Sequence, residues 1–164
     1  MEFAEKIFKG HYSSLITYIS DKISLYWDNA PIMLTIIYEE QSHSLPPIIE
    51  DIIWWDSVWL SQIRTPVPNW DKIFFWFKEY TKKELLNIDN HLIIQNERIN
   101  IIKAKLDEEW KEVNAENIGR AWNWWPDCVK KDSICSEHAI NYWARISSSY
   151  PYFKNYFNLI NYYK

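Results

Sequence analysis

KKELLNIDNHLIIQNERINIIKAKLDEEWKEVN, residues 82–114, is the stretch on which the fold turns. Apolar residues recur in it at Leu85, Ile88, Leu92, Ile99, Ile102, Leu106 and Val113, which is helical spacing, and it holds no Gly and no Pro. As one helix it would be about 50 Å long at ~1.5 Å per residue, a wall for other helices. Leu85, Leu92, Ile99, Leu106 and Val113 lie seven apart, like a coiled-coil seam, but Gln95 and Glu109 interrupt the intervening seam positions. Ile93, Ile94 and Ile101 widen the apolar face. A coiled-coil dimer uses a narrow seam, whereas a helix inside a bundle uses a wider stripe, so the stretch is read as a central helix. The rival is a hairpin of Leu92–Gln95 against Ile99–Ile102. Its turn, Asn96-Glu97-Arg98, lacks the Gly that tight hairpins draw on.

Composition agrees with helices. Of 164 residues, 48% are hydrophobic and 18% aromatic, so the chain can fill a core and is unlike a disordered one. Only Gly10 and Gly119 supply glycine, which disfavours a strand-rich fold with tight turns. The expectation is an all-α fold: a single domain, 1–164, of about six to eight helices around the long central one.

Moving outward, Phe3 to Ile23 keep an i, i+3/i+4 rhythm and predict one or two helices over 2–27. Ile32 to Tyr38 suit a helix with Asp28 or Asn29 as cap and Pro31 in the first turn. A buried strand is the alternative there, but it has no evident partner. Pro46-Pro47 is expected to open a helix through Ile49, Ile52, Ile53, Trp59, Leu60 and Ile63, closed by Thr65-Pro66-Val67-Pro68. Asn69 or Asp71 caps the next, carrying Ile73, Phe74, Phe77 and Tyr80. Thr81 to Glu84 reads as a capping box. Gly119 reads as a C-cap. Asp132 or Ser133 caps a helix through Ile146, Ser147-Ser148-Ser149 is a linker, and Pro151 opens a last helix through Ile160.

The net charge of −4 disfavours general nucleic-acid binding, and it is unevenly spread: residues 106–116 hold five acids against one base. The N-terminal MEFAEKIFKGHY lacks the basic start and apolar run of a signal peptide, and no run is long enough to span a membrane. Two cysteines fit a reducing cytoplasm.

Chemistry-bearing residues are scattered. Cys128, Cys135 and His138 are spaced poorly for zinc and read first as ordinary thiols and a histidine, with a metal site or a disulfide as alternatives. His11, His43 and His91 have no neighbouring nucleophile or acid in sequence and read as surface or internally satisfied. Glu39-Glu40, Glu50-Asp51 and Asp107-Glu108-Glu109 are adjacent pairs whose members point different ways on a helix. Lys103 with Asp107, Lys105 with Glu109 and Asp107 with Lys111 are spaced for ion pairs. No cofactor or metal is implied. Trp54, Trp55, Trp59, Trp70 and Trp76 are core candidates. Trp122, Trp124 and Trp125 are too close together to share one core stripe, so at least one is expected near the surface, where Trp is enriched in interfaces.

Acidic Asp107-Glu108-Glu109, Glu112 and Glu116 beside Trp110 and Trp122, Trp124 and Trp125 give the chain a profile that resembles the small bacterial immunity proteins of contact-dependent growth inhibition. The resemblance is one of type, with no shared motif. It implies a non-enzymatic inhibitor, monomer or weak dimer, that binds a cognate toxin domain in the cytoplasm. The toxin is expected to be a nuclease with a basic cleft, bound by those nine residues without direct nucleic-acid or membrane contact. The alternatives are a small hydrolase with carboxylates gathered from separate helices, and a regulatory or phage-defence module that dimerises through residues 82–114.

Overall fold

The computed structural model describes residues 19, 21–42, 57–58, 60–67, 69–109, 111–123 and 137–162. Within them the protein is all-α. Its most enclosed element is helix α1, Ala30–Ser42. Pro31 sits in the first turn, where its missing N–H would have no partner anyway. From Ala30 to Ile37 every residue is buried, including Ile32, Met33, Leu34, Ile36 and Ile37. A helix apolar on all sides needs cover on all sides. The one hydroxyl among these residues, that of Thr35, donates to the Pro31 carbonyl at 2.7 Å. A 3-10 segment, Ser24–Asn29, leads into α1 and bends at Trp27, whose φ is 43°.

The stretch 82–114 forms two helices rather than one. Thr81 and Glu84 make the expected capping box for the short α3, Lys82–Leu85, which follows α2, Asn69–Phe74. Asn87 then accepts from the Asn90 N–H and starts a second helix, α4, Ile88–Glu108. An Asn side chain that caps competes with continued helix, and here the cap wins. At 21 residues α4 is about 31 Å long. Its inner face carries His91, Leu92, Gln95, Ile99, Ile102 and Leu106, while Ile93 is turned to solvent. Asn114 lies beyond α4 and accepts from the Asn117 N–H to cap α5, Ala115–Asn123.

The last helix, α6, Glu137–Tyr162, packs on both α1 and α5. It runs unbroken through Ser147-Ser148-Ser149 and Pro151, so the expected linker and restart are corrected to one helix. Two hydroxyls help. Ser148 donates to the Arg145 carbonyl at 2.9 Å, and Ser149 donates to Glu39 Oε1 at 2.6 Å. Gly119 is likewise inside α5, not at a C-cap: a Cβ there would stand 3.1 Å from Ile146 of α6. The glycine lets two helices approach closely.

Residues 57–64 correct another expectation. Instead of the end of a helix they form a minimal antiparallel pair, β1 Ser57–Val58 and β2 Ile63–Arg64, with Ser57 opposite Arg64. Gln62 in the turn has φ 52°, which a continued helix would not allow. The helix expected from Asn69 to Tyr80 stops at Phe74, and residues 76–80 are not helical. The readings made for 1–18, 43–56 and 124–136 lie outside the described residues, as do the side chains of Cys128, Cys135 and His138.

Candidate protein-binding surface

Two polar groupings in the interior hold perturbed acids and bases of the kind that mark many active sites. In one, His91 Nδ1 lies 3.0 Å from the Leu85 carbonyl, and Nε2 lies 2.7 Å from Ser61 Oγ and 3.2 Å from the Ser61 N–H. The carbonyl requires a proton on Nδ1, which leaves Nε2 to accept from Ser61. Burial pushes His91 down to about 4, so it is neutral. Both residues are sealed from solvent. The pair therefore ties the β1–β2 turn to α4 and offers no substrate a path to the hydroxyl.

In the other, α1 meets α6. Glu39 is buried and accepts from Arg145 Nε at 3.0 Å as well as from Ser149. Its neighbour Glu40 is pushed up to about 7, chiefly by burial, with Tyr142, Arg145 and Arg64 pulling it back. Burial, and after it the neighbouring Glu40, hold the Tyr142 hydroxyl well above its usual range. A carboxyl near 7 suits a general acid. Yet both oxygens of Glu39 are spent on α6, so the pair acts as a helix-to-helix tie.

The outer surface is more telling. Asp107, Glu108, Glu109 and Glu112 are exposed where α4 ends. Lys105 reaches Glu108 Oε2 at 3.1 Å and Glu109 Oε1 at 3.6 Å, and Glu108 raises the lysine above its usual range. The expected Lys105–Glu109 pair is thus present. Lys103 turns instead to Asn29 Oδ1, and no ion pair of Asp107 with Lys103 or Lys111 occurs among the described residues.

The same Lys105 ammonium lies 5.7 Å from the ring centre of Trp76. Trp76 is 68% exposed, which overturns its assignment to the core, and its φ of 55° is unusual for a bulky residue. What holds it out is on either side. Phe75 and Phe77 are buried and stack at 5.1 Å, and Arg98 lies over the Phe77 ring at 4.4 Å. Beyond them, Glu79 accepts from the Val67 N–H at 2.9 Å and pairs with Lys72. Tyr80 donates to Glu97 at 2.5 Å, and Thr65 donates to the Tyr80 carbonyl at 2.7 Å. The segment is pinned from both ends, so the indole is presented from a firm base. Ile73, three residues earlier, is 76% exposed.

No family model matches the chain, and comparison with curated proteins and with solved structures gave no match. The surface must be read from its own chemistry. Of the residues singled out in the sequence, Asp107, Glu108, Glu109 and Glu112 share the end of α4 and the turn after it. Glu116 is half-buried and paired with Arg120, one turn along α5. Trp122 faces inward, its indole N–H donating to the Ser61 carbonyl at 3.2 Å. Trp110, Trp124 and Trp125 lie outside the described residues. Among the described residues, the aromatic side chain that shares Lys105 with these acids is Trp76. Its signal was present in Phe75-Trp76-Phe77: three consecutive aromatics cannot all face one core.

Among the described residues no helix is long and apolar enough to cross a membrane.

Proposed function

We propose that the protein is an immunity-type inhibitor that binds a basic toxin domain, most simply a nuclease, in the cytoplasm and occludes its active site. The observation that supports this reading is the exposed Trp76 ring beside the Lys105–Glu108–Glu109 cluster. Carboxylates at the end of α4 would steer a basic cleft and speed association. A rigidly held exposed Trp is the kind of residue that anchors an interface and slows dissociation. His91 and Ser61 are sealed from solvent and Glu39 is engaged by Arg145 and Ser149, so the exposed acids and Trp76 favour a binding reading over hydrolysis.

This reading expects a toxin-like domain to be encoded immediately upstream, and the test is co-expression with it. The pair should co-purify, and the protein should rescue growth. Changing Asp107, Glu108 and Glu112 together to Lys should leave the fold intact, slow association and steepen the loss of rescue. Unaltered association kinetics in that variant would remove this surface from the interface.

A further inference from the structure

Resting on that reading, we infer that the Trp76 surface is a seat for an arginine side chain of the partner, which Lys105 fills in the free protein and yields on binding. The seat has three walls. One is the exposed indole face, and the others are the carboxylates of Glu108 and Glu109, 3.1 Å and 3.6 Å from the lysine nitrogen. Both carboxylates are about half exposed, at 54% and 44%, so each can meet a second cation arriving from solvent. Ile73, three residues before Trp76 in the chain, is a further exposed apolar residue.

An ammonium uses such a seat poorly. It is a point charge at 5.7 Å, close to the ~6 Å limit of an effective cation–π contact. A guanidinium is planar, stacks flat on an indole and forks onto a carboxylate with two parallel hydrogen bonds. Exchange of one cation for the other leaves no carboxylate unpaired, and Lys105 has a flexible stem on which to swing into water. An arginine on the partner therefore gains geometry that the resident lysine lacks. The acids alone would attract any basic group; the ring is what discriminates between them.

The probes are two blocked pentapeptides, Gly-Arg-Gly-Arg-Gly and Gly-Lys-Gly-Lys-Gly, titrated into the whole protein at low salt. The readout is the Trp76 indole N–H resonance, identified by its loss in Trp76→Asn. The arginine peptide should move that resonance and bind about two- to fivefold more tightly than the lysine peptide, as expected for an exposed cation–π contact. Lys105→Gln should tighten arginine-peptide binding, and Trp76→Asn should erase the preference. Equal binding with an unmoved resonance, no binding of either peptide, or weaker binding to Lys105→Gln each overturns the seat. The inhibitor reading is judged separately, by co-purification with the toxin domain, so a failed seat and a failed inhibitor are told apart.

Discussion

Ser61 Oγ stands 2.7 Å from His91 Nε2 with both residues cut off from water. The imidazole is held at about 4, against 6.5 for the free side chain. Between those values the unfolded chain binds a proton that the folded one refuses. Stability is therefore full above about pH 6.5 and falls as pH drops toward 4. The loss from pH 7 to pH 5 should be about 2 kcal/mol from this group. Urea denaturation at both pH values checks it. His91→Gln should remove that part of the pH slope, and parallel slopes for wild type and variant would refute the assignment.

Glu40 titrates in the opposite sense. Its folded value of about 7 lies above 4.5, so the folded protein keeps a proton that the unfolded chain gives up. That contribution is present below about pH 4.5 and is lost as pH rises through 7. Glu40→Gln, which mimics the protonated form, should gain on wild type between pH 6 and pH 8 in thermal melts. A gain at pH 4 instead would mean the sign is wrong.

Glu39 is 4% exposed and its carboxylate accepts from Arg145 Nε at 3.0 Å. Arg145→Met should cost about 2–4 kcal/mol, because it strands a buried carboxylate. Adding Glu39→Gln should recover much of that loss. Chemical denaturation of the two single variants and the double one measures the coupling, and simple additivity would show that the pair is not linked.

Gly119 faces Ile146 at a distance that leaves a methyl group cramped. Alanine should gain about 1 kcal/mol of helix propensity and lose about 1–3 kcal/mol to overpacking against the buried isoleucine. Gly119→Ala should thus be destabilising in wild type and clearly less so in an Ile146→Ala background, which keeps the Cβ but removes both γ carbons. The difference between the two backgrounds in chemical denaturation is the measurement; an equal effect in both would mean that Ile146 does not set the cost.

Trp76 separates stability from binding. Its backbone has φ 55°, where Asn is far better tolerated than Trp. Trp76→Asn should leave the melting temperature unchanged or raised while dissociation from the partner speeds up tenfold or more, about 1.4 kcal/mol or above. A destabilised variant with unchanged dissociation would make Trp76 a packing residue.

How legible was this in the sequence? The helical class came from periodicity and the scarcity of glycine, and α1 came from Pro31 and the run that follows it. Capping at Thr81–Glu84 was visible because both partners lie in one local motif. What stayed hidden was decided at long range. Nothing near Gly119 announces Ile146, 27 residues on, and nothing near Pro151 says that α6 is held through Ser149 and Arg145 by Glu39. Asn87 hides in a stretch whose apolar period continues past it, so the break between α3 and α4 depends on a side-chain cap that periodicity cannot see. The acids of the candidate surface were legible from charge alone. Their aromatic companion was misplaced because helical spacing had been extended past Phe74, where the chain leaves the helix.

The wrapping of α1 by α6 carries a consequence for synthesis. Glu39 and Arg145 are 106 residues apart. At ~5–20 residues per second, the ribosome needs about 5–20 s after making α1 before its cover emerges. Through that interval an isoleucine-rich helix has no finished place to hide, so nascent chains should depend on a holding chaperone more than the finished protein's stability would suggest.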